Sequence, residues 1–285
     1  MGKNTKNKSD KLQQKEVNKA NYKLKRVNSI NEMKEHKVKA TVYIVLRVII
    51  VGLLVFSIIN GRWENAMTCA LTLVLLLIPA FIEHTLKVDL PNVMEVIMIV
   101  FVFSANIMGE IGSFYEKVPI WDTVLHTLNG FICAGVGFGL IDILNRNEKV
   151  KINLSPIFVC LFSFCFSMTV GTVWEFFEYG VDLFLGKDMQ KDTIVNYINS
   201  VMLSGGTNDV TKINDITSTV VNGKELGVNG YLDIGLHDTM KDLLVNFIGA
   251  VVFNLAGFFY LKGRGKTAGF IANFIPRSKK QGSDK

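Results

Sequence analysis

The sequence predicts an all-α, polytopic membrane protein: a bundle of about six transmembrane helices with an extracytoplasmic insertion before the last helix. Hydrophobic residues make up 49% of the 285 residues, and the mean hydropathy is +0.31. Apolar runs of spanning length follow one another along the chain, and a single long polar segment interrupts them. This combination excludes an ordinary soluble enzyme.

Six apolar segments account for the predicted spans. They cover residues 41–59, 66–82, 91–112, 122–144, 155–185 and 237–261. We expect Pro79 to kink the second span and Pro91 to occupy the first turn of the third, because proline has no N–H to donate inside a helix. The glycines of the fourth span predict close helix packing. The fifth span is about 45 Å long at 1.5 Å per residue, so it must tilt or project beyond the hydrocarbon core.

The charge distribution predicts the topology. Residues 1–40 hold twelve Lys or Arg against four Asp or Glu, and residues 262–285 are again basic. Because positively charged flanks stay inside, both segments are expected to be cytoplasmic tails, the first of them disordered, around a transmembrane domain at 41–261. The chain is then a multi-pass protein of the cell membrane. No nucleic-acid partner is expected, because the N-terminal tail lacks interleaved aromatic residues and suits anionic lipid.

Residues 186–236 form the one long loop, and the topology makes it extracytoplasmic. Its apolar residues between 194 and 202 follow helical spacing, which predicts an amphipathic helix on the membrane surface. Asn222-Gly223 predicts a two-residue hairpin turn. The loop is either a lid over a site or a spacer, and the sequence leaves both interpretations open.

Ionisable and amide side chains form one stripe on each of the last three spans. The stripes are Asp122, His126 and Asn129 in the fourth span, Glu175, Glu178 and Asp182 in the fifth, and Asp238, Asp242 and Asn246 in the sixth. Such residues are expensive in a bilayer and mark functional sites by default. The topology places the three stripes at one depth on the outer side, which predicts a shared pocket. Two alternatives remain: Asp122 and Asp238 cap helices, or the network only fixes helix packing.

The residue types of the stripes suit two kinds of chemistry. The candidate catalytic residues are Asp122, His126, Glu175, Glu178 and Asp242. The candidate ligands of a divalent metal are His126, Glu175, Glu178, Asp238 and Asp242. Oxygen-rich ligation with one nitrogen suits a divalent cation that activates water or holds a phosphate. Without a metal, Glu175 and Glu178 would repel each other and form a proton-accepting pair beside His126. The sequence does not choose between them.

Two classes of function follow from the stripes. The first is a cell-envelope enzyme, metal-dependent in one version, that acts on a lipid or lipid-linked substrate at the outer leaflet. The second is a non-enzymatic membrane protein: a proton- or cation-coupled carrier, or a structural polar network. The inner halves of the last three spans contain almost no ionisable residues, which favours an outer-leaflet site over a transport path.

Three short motifs carry a resemblance to known families over about residues 105–260. They are Asp122-x-x-x-His126, the helix with Glu175 and Glu178, and Asp242-x-x-x-Asn246-x-x-Gly249. The pattern resembles the YjdF-like proteins, a bacterial inner-membrane family of unknown function. It is also similar to the VanZ-like family associated with glycopeptide resistance, from which it departs at Thr123 and Glu178. The resemblance implies a role in the cell envelope without a settled reaction.

Overall fold

The computed structural model describes residues 37–145, 154–263 and 269–278. Six of its helices are long and apolar enough to cross a membrane, which confirms the all-α polytopic class. The described residues divide into two compact units, one with residues 37–114 and 278 and one with the described residues from 115 to 277. Most of the two predicted basic tails and the basic loop at 146–153 lie outside the described residues.

The first unit contains three of the spanning segments. Its elements are α1 (Lys37–Ile59), α2 (Trp63–Leu75), α3 (Ile78–Thr85), strand β1 (Val88–Asp89) and α4 (Asn92–Phe103), which continues as a π-helix over Ser104–Ile111. The break between α2 and α3 lies just before Pro79, as expected for a residue without an N–H donor. A buried cluster that includes Ile50, Cys69 and Ile99 joins these helices.

The second unit is built on three long helices. After the short α5 (Phe114–Lys117) come α6 (Trp121–Asn145), α7 (Pro156–Leu185) and α8 (Leu236–Lys262), followed by a 3₁₀ turn (Gly269–Phe274) and strand β8 (Arg277–Ser278). The Ser155 hydroxyl accepts a hydrogen bond from Phe158 N at the start of α7, and Gly186 ends this helix with φ of 60°. Helices α6 and α8 run in parallel, and α7 runs antiparallel to both.

Helices α6 and α8 touch through their backbones. A Cβ atom on Gly130 would lie 2.1 Å from the Asn246 carbonyl oxygen, and one on Gly249 would lie 2.0 Å from the Thr127 carbonyl oxygen. No side chain fits at either position. The close packing that the glycines of the fourth span predict is therefore a direct backbone contact.

Helix α7 contributes a buried face whose residues are spaced four apart, mostly small and ending in a glutamate. Its members are Val159, Ser163, Ser167, Gly171 and Glu175. The hydroxyl of Ser163 donates to the Ala134 carbonyl at 2.7 Å, and that of Ser167 donates to the Gly130 carbonyl at 2.8 Å. Because these partners lie at fixed positions along α6, the two bonds set the register between α6 and α7.

The insertion between α7 and α8 is made of short strands. They are β2 (Ile194–Val195), β3 (Ile198–Ser200), β4 (Thr211–Ile213), β5 (Val220–Val221), β6 (Lys224–Glu225) and β7 (Tyr231–Leu232), with a 3₁₀ turn at Met202–Ser204. The predicted amphipathic helix over 194–202 is wrong, because β2 pairs with β7 and β3 with β4. The Asn222-Gly223 hairpin is confirmed: β5 and β6 pair, and both turn residues have positive φ.

Both ends of the insertion are tied to the helices. The Asp182 carboxylate of α7 accepts hydrogen bonds from the backbone N–H groups of Met189 at 2.6 Å and Gln190 at 2.8 Å. The Asp233 carboxylate accepts from the N–H groups of Gly235 and His237 where α8 begins. The carboxylates therefore satisfy backbone donors at the points where the chain leaves α7 and enters α8.

Replacing Gly249 by alanine should disrupt the α6–α8 contact. The added Cβ meets the Thr127 backbone, which has no rotamer by which to move away, so we expect a loss of roughly 3 kcal/mol in the free energy of unfolding. Gly180→Ala is the matched control, because nothing lies within 4 Å of a Cβ at that α7 position. Thermal unfolding in detergent measures both variants. Equal unfolding temperatures would show that the backbone contact is not needed for stability.

Replacing Asp182 by alanine should release the first residues of the insertion. Hydrogen bonds to a charged acceptor contribute about 1.5–3 kcal/mol each, so amide hydrogen exchange at Met189 and Gln190 should speed up at least about tenfold. Asp188→Ala removes an exposed carboxylate six residues away and should leave both amides protected. Unchanged exchange in the Asp182 variant would contradict the anchoring role.

Candidate functional site

The three polar stripes meet at His126. Its Nε2 atom lies 3.4 Å from Asp122 Oδ1 on α6 and 3.7 Å from Asp242 Oδ2 on α8. Its Nδ1 atom faces α7, where Glu175 Oε1 lies 3.9 Å away. Residues from three helices, widely separated in sequence, thus surround one imidazole. The imidazole presents one nitrogen to the two aspartates and the other to the glutamate.

Two carboxylates of this cluster are almost fully enclosed. Asp242 is 1% exposed and Glu175 is 4% exposed. Within the part of the chain that the structure describes, Asp242 Oδ1 and Glu175 Oε2 are buried and have no hydrogen-bond partner. A buried carboxylate oxygen without a hydrogen bond is costly, and in native structures it calls for a bound ion, a water molecule or a proton. Lys241 Nζ lies 3.7 Å from Asp242 Oδ1, which is an ion-pair distance but too long for a hydrogen bond.

Asp122, His126 and Asp242 lie close enough together that they could hold one metal ion. One ligand atom from each residue lies within 4.8 Å of the other two. Two carboxylate oxygens and one imidazole nitrogen suit Mn²⁺, Zn²⁺ or Mg²⁺ according to the remaining ligands. A metal held by these three residues alone would keep coordination positions open for water or substrate, as catalytic metals do.

Lys241 lies at the edge of the same cluster. Its Nζ atom is 3.1 Å from Asp122 Oδ2 and 3.7 Å from both Asp238 Oδ1 and Asp242 Oδ1, while 45% of its side chain remains exposed. The sequence analysis gave this residue no role. Its spacing could have indicated a role, because Lys241 follows Asp238 by three positions and therefore shares its helix face.

Asp238 and Thr239 connect the insertion to α8. The backbone N–H of Lys191 donates to Asp238 Oδ2 at 2.9 Å, and the Gln190 side chain donates to the Thr239 hydroxyl. The N-cap position of α8 is Gly235, so Asp238 binds a backbone group of the insertion rather than capping its own helix. The segment at 190–191 therefore packs against the first turn of α8, beside the cluster.

The three acidic residues of the α7 stripe have three different partners. Glu175 faces His126, whereas Glu178 accepts a hydrogen bond from the Trp174 indole N–H at 2.8 Å and is also buried. Asp182, two turns beyond Glu175, binds the insertion and takes no part in the cluster around His126. The structure thus brings one predicted α7 residue into direct contact with the imidazole.

Asn129 and Asn246 lie next to the cluster, one helical turn further along α6 and α8. Asn129 Nδ2 donates to Asn246 Oδ1 at 3.0 Å, and Asn246 is 1% exposed. A Cβ atom on Gly171 would lie 2.8 Å from Asn246 Nδ2, so α7 packs directly on this amide. The asparagines of the predicted stripes therefore bridge the helices one turn below the carboxylates.

Comparisons with known proteins identify a family without an assigned activity. Residues 42–263 match the family described as "Predicted membrane protein (DUF2238)". An uncharacterized protein of Thermotoga maritima is 24% identical over 107 residues, which are 38% of this chain and 53% of that relative; the chain thus matches about half the relative's length. No solved structure matches. The match agrees with the YjdF-like resemblance, and the VanZ-like resemblance stays a prediction. The chain belongs to the DUF2238 family of membrane proteins.

Proposed function

We propose that this integral membrane protein binds a divalent cation through Asp122, His126 and Asp242 and acts as a metal-dependent enzyme on a lipid or lipid-linked substrate. The observation that carries the proposal is the buried Asp242 carboxylate, whose Oδ1 atom has no hydrogen-bond partner among the described residues although its Oδ2 atom faces His126 Nε2. A divalent cation between these groups would satisfy the carboxylate and neutralise the two aspartates.

The position of Glu175 supports this assignment. A histidine that ligates a metal through one ring nitrogen almost always donates its other N–H to a carboxylate, a carbonyl or water. In this site Nε2 faces the aspartates, and Nδ1 faces Glu175 at 3.9 Å. We therefore give Glu175 the role of orienting His126. Glu178 is its neighbour on the same helix face and accepts a hydrogen bond from Trp174; it would form a proton-accepting pair with Glu175 only if no metal binds. Neither glutamate is among the three proposed metal ligands, although the sequence analysis named both as candidate ligands.

The surface of α7 supports a substrate of the lipid class. Around the two glutamates this helix exposes aromatic side chains, namely Trp174, Phe176, Phe177 and Tyr179. Tryptophan and tyrosine concentrate at membrane–water boundaries, where one end of the ring system meets water and the other meets hydrocarbon. The topology predicted from the sequence puts this boundary on the outer side. A lipid head group at the outer leaflet would then lie at the depth of the proposed metal.

A metal-free ion network is the second candidate, and Lys241 favours it. Its ammonium group lies 3.1–3.7 Å from three carboxylates and supplies part of the positive charge that a metal would bring. In that case the cluster would only fix the packing of α6, α7 and α8. A carrier has less support, because in the sequence of α6 no acidic or basic residue lies between His126 and Asp142.

Lys241→Met separates the two candidates. If a metal binds, the ammonium group competes for the same oxygens, and its removal should tighten Mn²⁺ binding at least about tenfold. If the network is metal-free, the variant leaves Asp122 and Asp242 without their counter-charge, so the unfolding temperature should fall and Mn²⁺ should have no effect. Calorimetric titration with Mn²⁺ and thermal unfolding in detergent measure the two quantities.

Three further variants complete this test. Asp242→Asn should abolish Mn²⁺ binding, because the amide keeps the shape of the side chain but is a much weaker ligand. Glu175→Gln should retain the metal, since Gln still accepts or donates one hydrogen bond beside His126. Asp188→Asn, at an exposed position of the insertion, is the control for non-specific binding. If the wild-type protein binds Mn²⁺ no better than the Asp242 variant does, the metal proposal is wrong.

A further inference from the structure

A cavity of about 260 Å³ lies in the first unit, where α2 gives way to α3. The break leaves a gap because the chain turns at Leu76 and Leu77 and resumes at Ile78, followed by Pro79 and the small residue Ala80. The walls include Leu76, Pro79 and, on α4, Ile99. At about 30 Å³ per heavy atom, this volume holds roughly nine carbons of an extended chain.

The cavity has one charged end and one apolar end. Lys39 of α1 and Glu95 of α4 form an ion pair in its lining, and Glu95 lies in the first turn of α4. Ile99 lies one turn further into α4, about 6 Å deeper. Leu76 lies at the break between α2 and α3, near the middle of the span Trp63–Thr85. The charged end is therefore at the start of α4, and the apolar end points toward the middle of the spans. An amphiphilic lipid has the same arrangement, with a charged head group at one end and an apolar chain at the other.

The Lys39–Glu95 pair has hydrogen-bonding capacity left for a ligand. The ammonium group has three N–H donors and the carboxylate about four acceptor positions, so one contact between them saturates neither group. Glu95 is buried, whereas Lys39 remains partly exposed. Ala40 and Ala80 are small, exposed members of the lining, which also includes the ring of Tyr43.

We propose that this cavity binds one phospholipid whose head group carries both a phosphate and a primary amine. The phosphate contacts the Lys39 ammonium, the amine contacts the Glu95 carboxylate, and an acyl chain enters between Pro79 and Ile99. The head group thus presents to each member of the pair the charge opposite to its own. A head group with a phosphate and no amine would keep the contact with Lys39, but it would bring its negative charge near Glu95 without supplying a cation for that carboxylate. This site lies within the first unit and is independent of the proposed metal centre.

Ala80→Leu and Ala70→Leu form a matched pair that tests the cavity. Both replace an exposed helical alanine, but only Ala80 lines the cavity. Each detergent-purified, delipidated variant is titrated with dioleoyl phosphatidylethanolamine, and native mass spectrometry counts the lipids bound per chain. We expect one tightly bound lipid for the wild-type and Ala70→Leu proteins. For Ala80→Leu we expect at least about tenfold weaker binding, because the larger side chain takes up space in the cavity. Equal binding by the two variants would overturn the proposal.

Glu95→Gln tests the head-group assignment and keeps the proposal testable if Ala80→Leu does not fold. The wild-type protein should bind phosphatidylethanolamine at least about tenfold more tightly than phosphatidylglycerol with the same acyl chains. Glu95→Gln should remove this preference. The neutral amide has no charge with which to attract the amine of phosphatidylethanolamine or to repel the head group of phosphatidylglycerol. If the wild-type protein binds both lipids equally, or binds neither, the assignment is wrong.

Discussion

The backbone contact between α6 and α8 is the constraint on which the candidate site depends. Gly130 meets the Asn246 carbonyl, and Gly249 meets the Thr127 carbonyl, with no room for a Cβ atom at either glycine. His126 and Asp242 lie one helical turn from Gly130 and Asn246 in the same direction. Because the two helices run in parallel, the contact carries these side chains to within 3.7 Å of each other. If the two helices lay further apart, the side chains of the cluster would no longer be in contact, even with every residue of the cluster unchanged.

A second constraint is the cost of charge inside a spanning helix. Asp242 and Glu175 are buried in segments that are otherwise apolar, and each carboxylate requires compensation from another helix or from a bound cation. His126 and Lys241 supply part of this compensation. The two candidate functions differ in what supplies the rest. With a metal, the cluster is a reaction centre that leaves coordination positions open; without one, it is an ionic contact that fixes the packing of three helices.

Much of the fold is predictable because local signals mark it. Ser155-Pro156 and Gly186 mark the two ends of α7, and the predicted span of 155–185 matches Pro156–Leu185. The stripes were visible because four-residue spacing puts His126 and Asp122 on one face of a helix.

Two features were not predictable, because they depend on partners far away in sequence. The strand at Ile198–Ser200 exists through its pairing with Thr211–Ile213, which overrides the helical spacing of its apolar residues. The register of α7 depends on hydroxyl groups that bind backbone carbonyls of α6, and a sequence does not display carbonyl positions. That register decides which of the three α7 carboxylates reaches His126.

Electron paramagnetic resonance of Mn²⁺ bound to the purified protein tests the central claim most directly. A metal held by Asp122, His126 and Asp242 has one imidazole nitrogen in its first coordination shell, so pulsed spectra should show coupling to a single ¹⁴N nucleus. Labelling the histidines with ¹⁵N should convert that signal to the ¹⁵N pattern, and His126→Ala should remove it. Stoichiometric Mn²⁺ with no nitrogen coupling, or no Mn²⁺ above the level of a His126→Ala protein, would contradict the account.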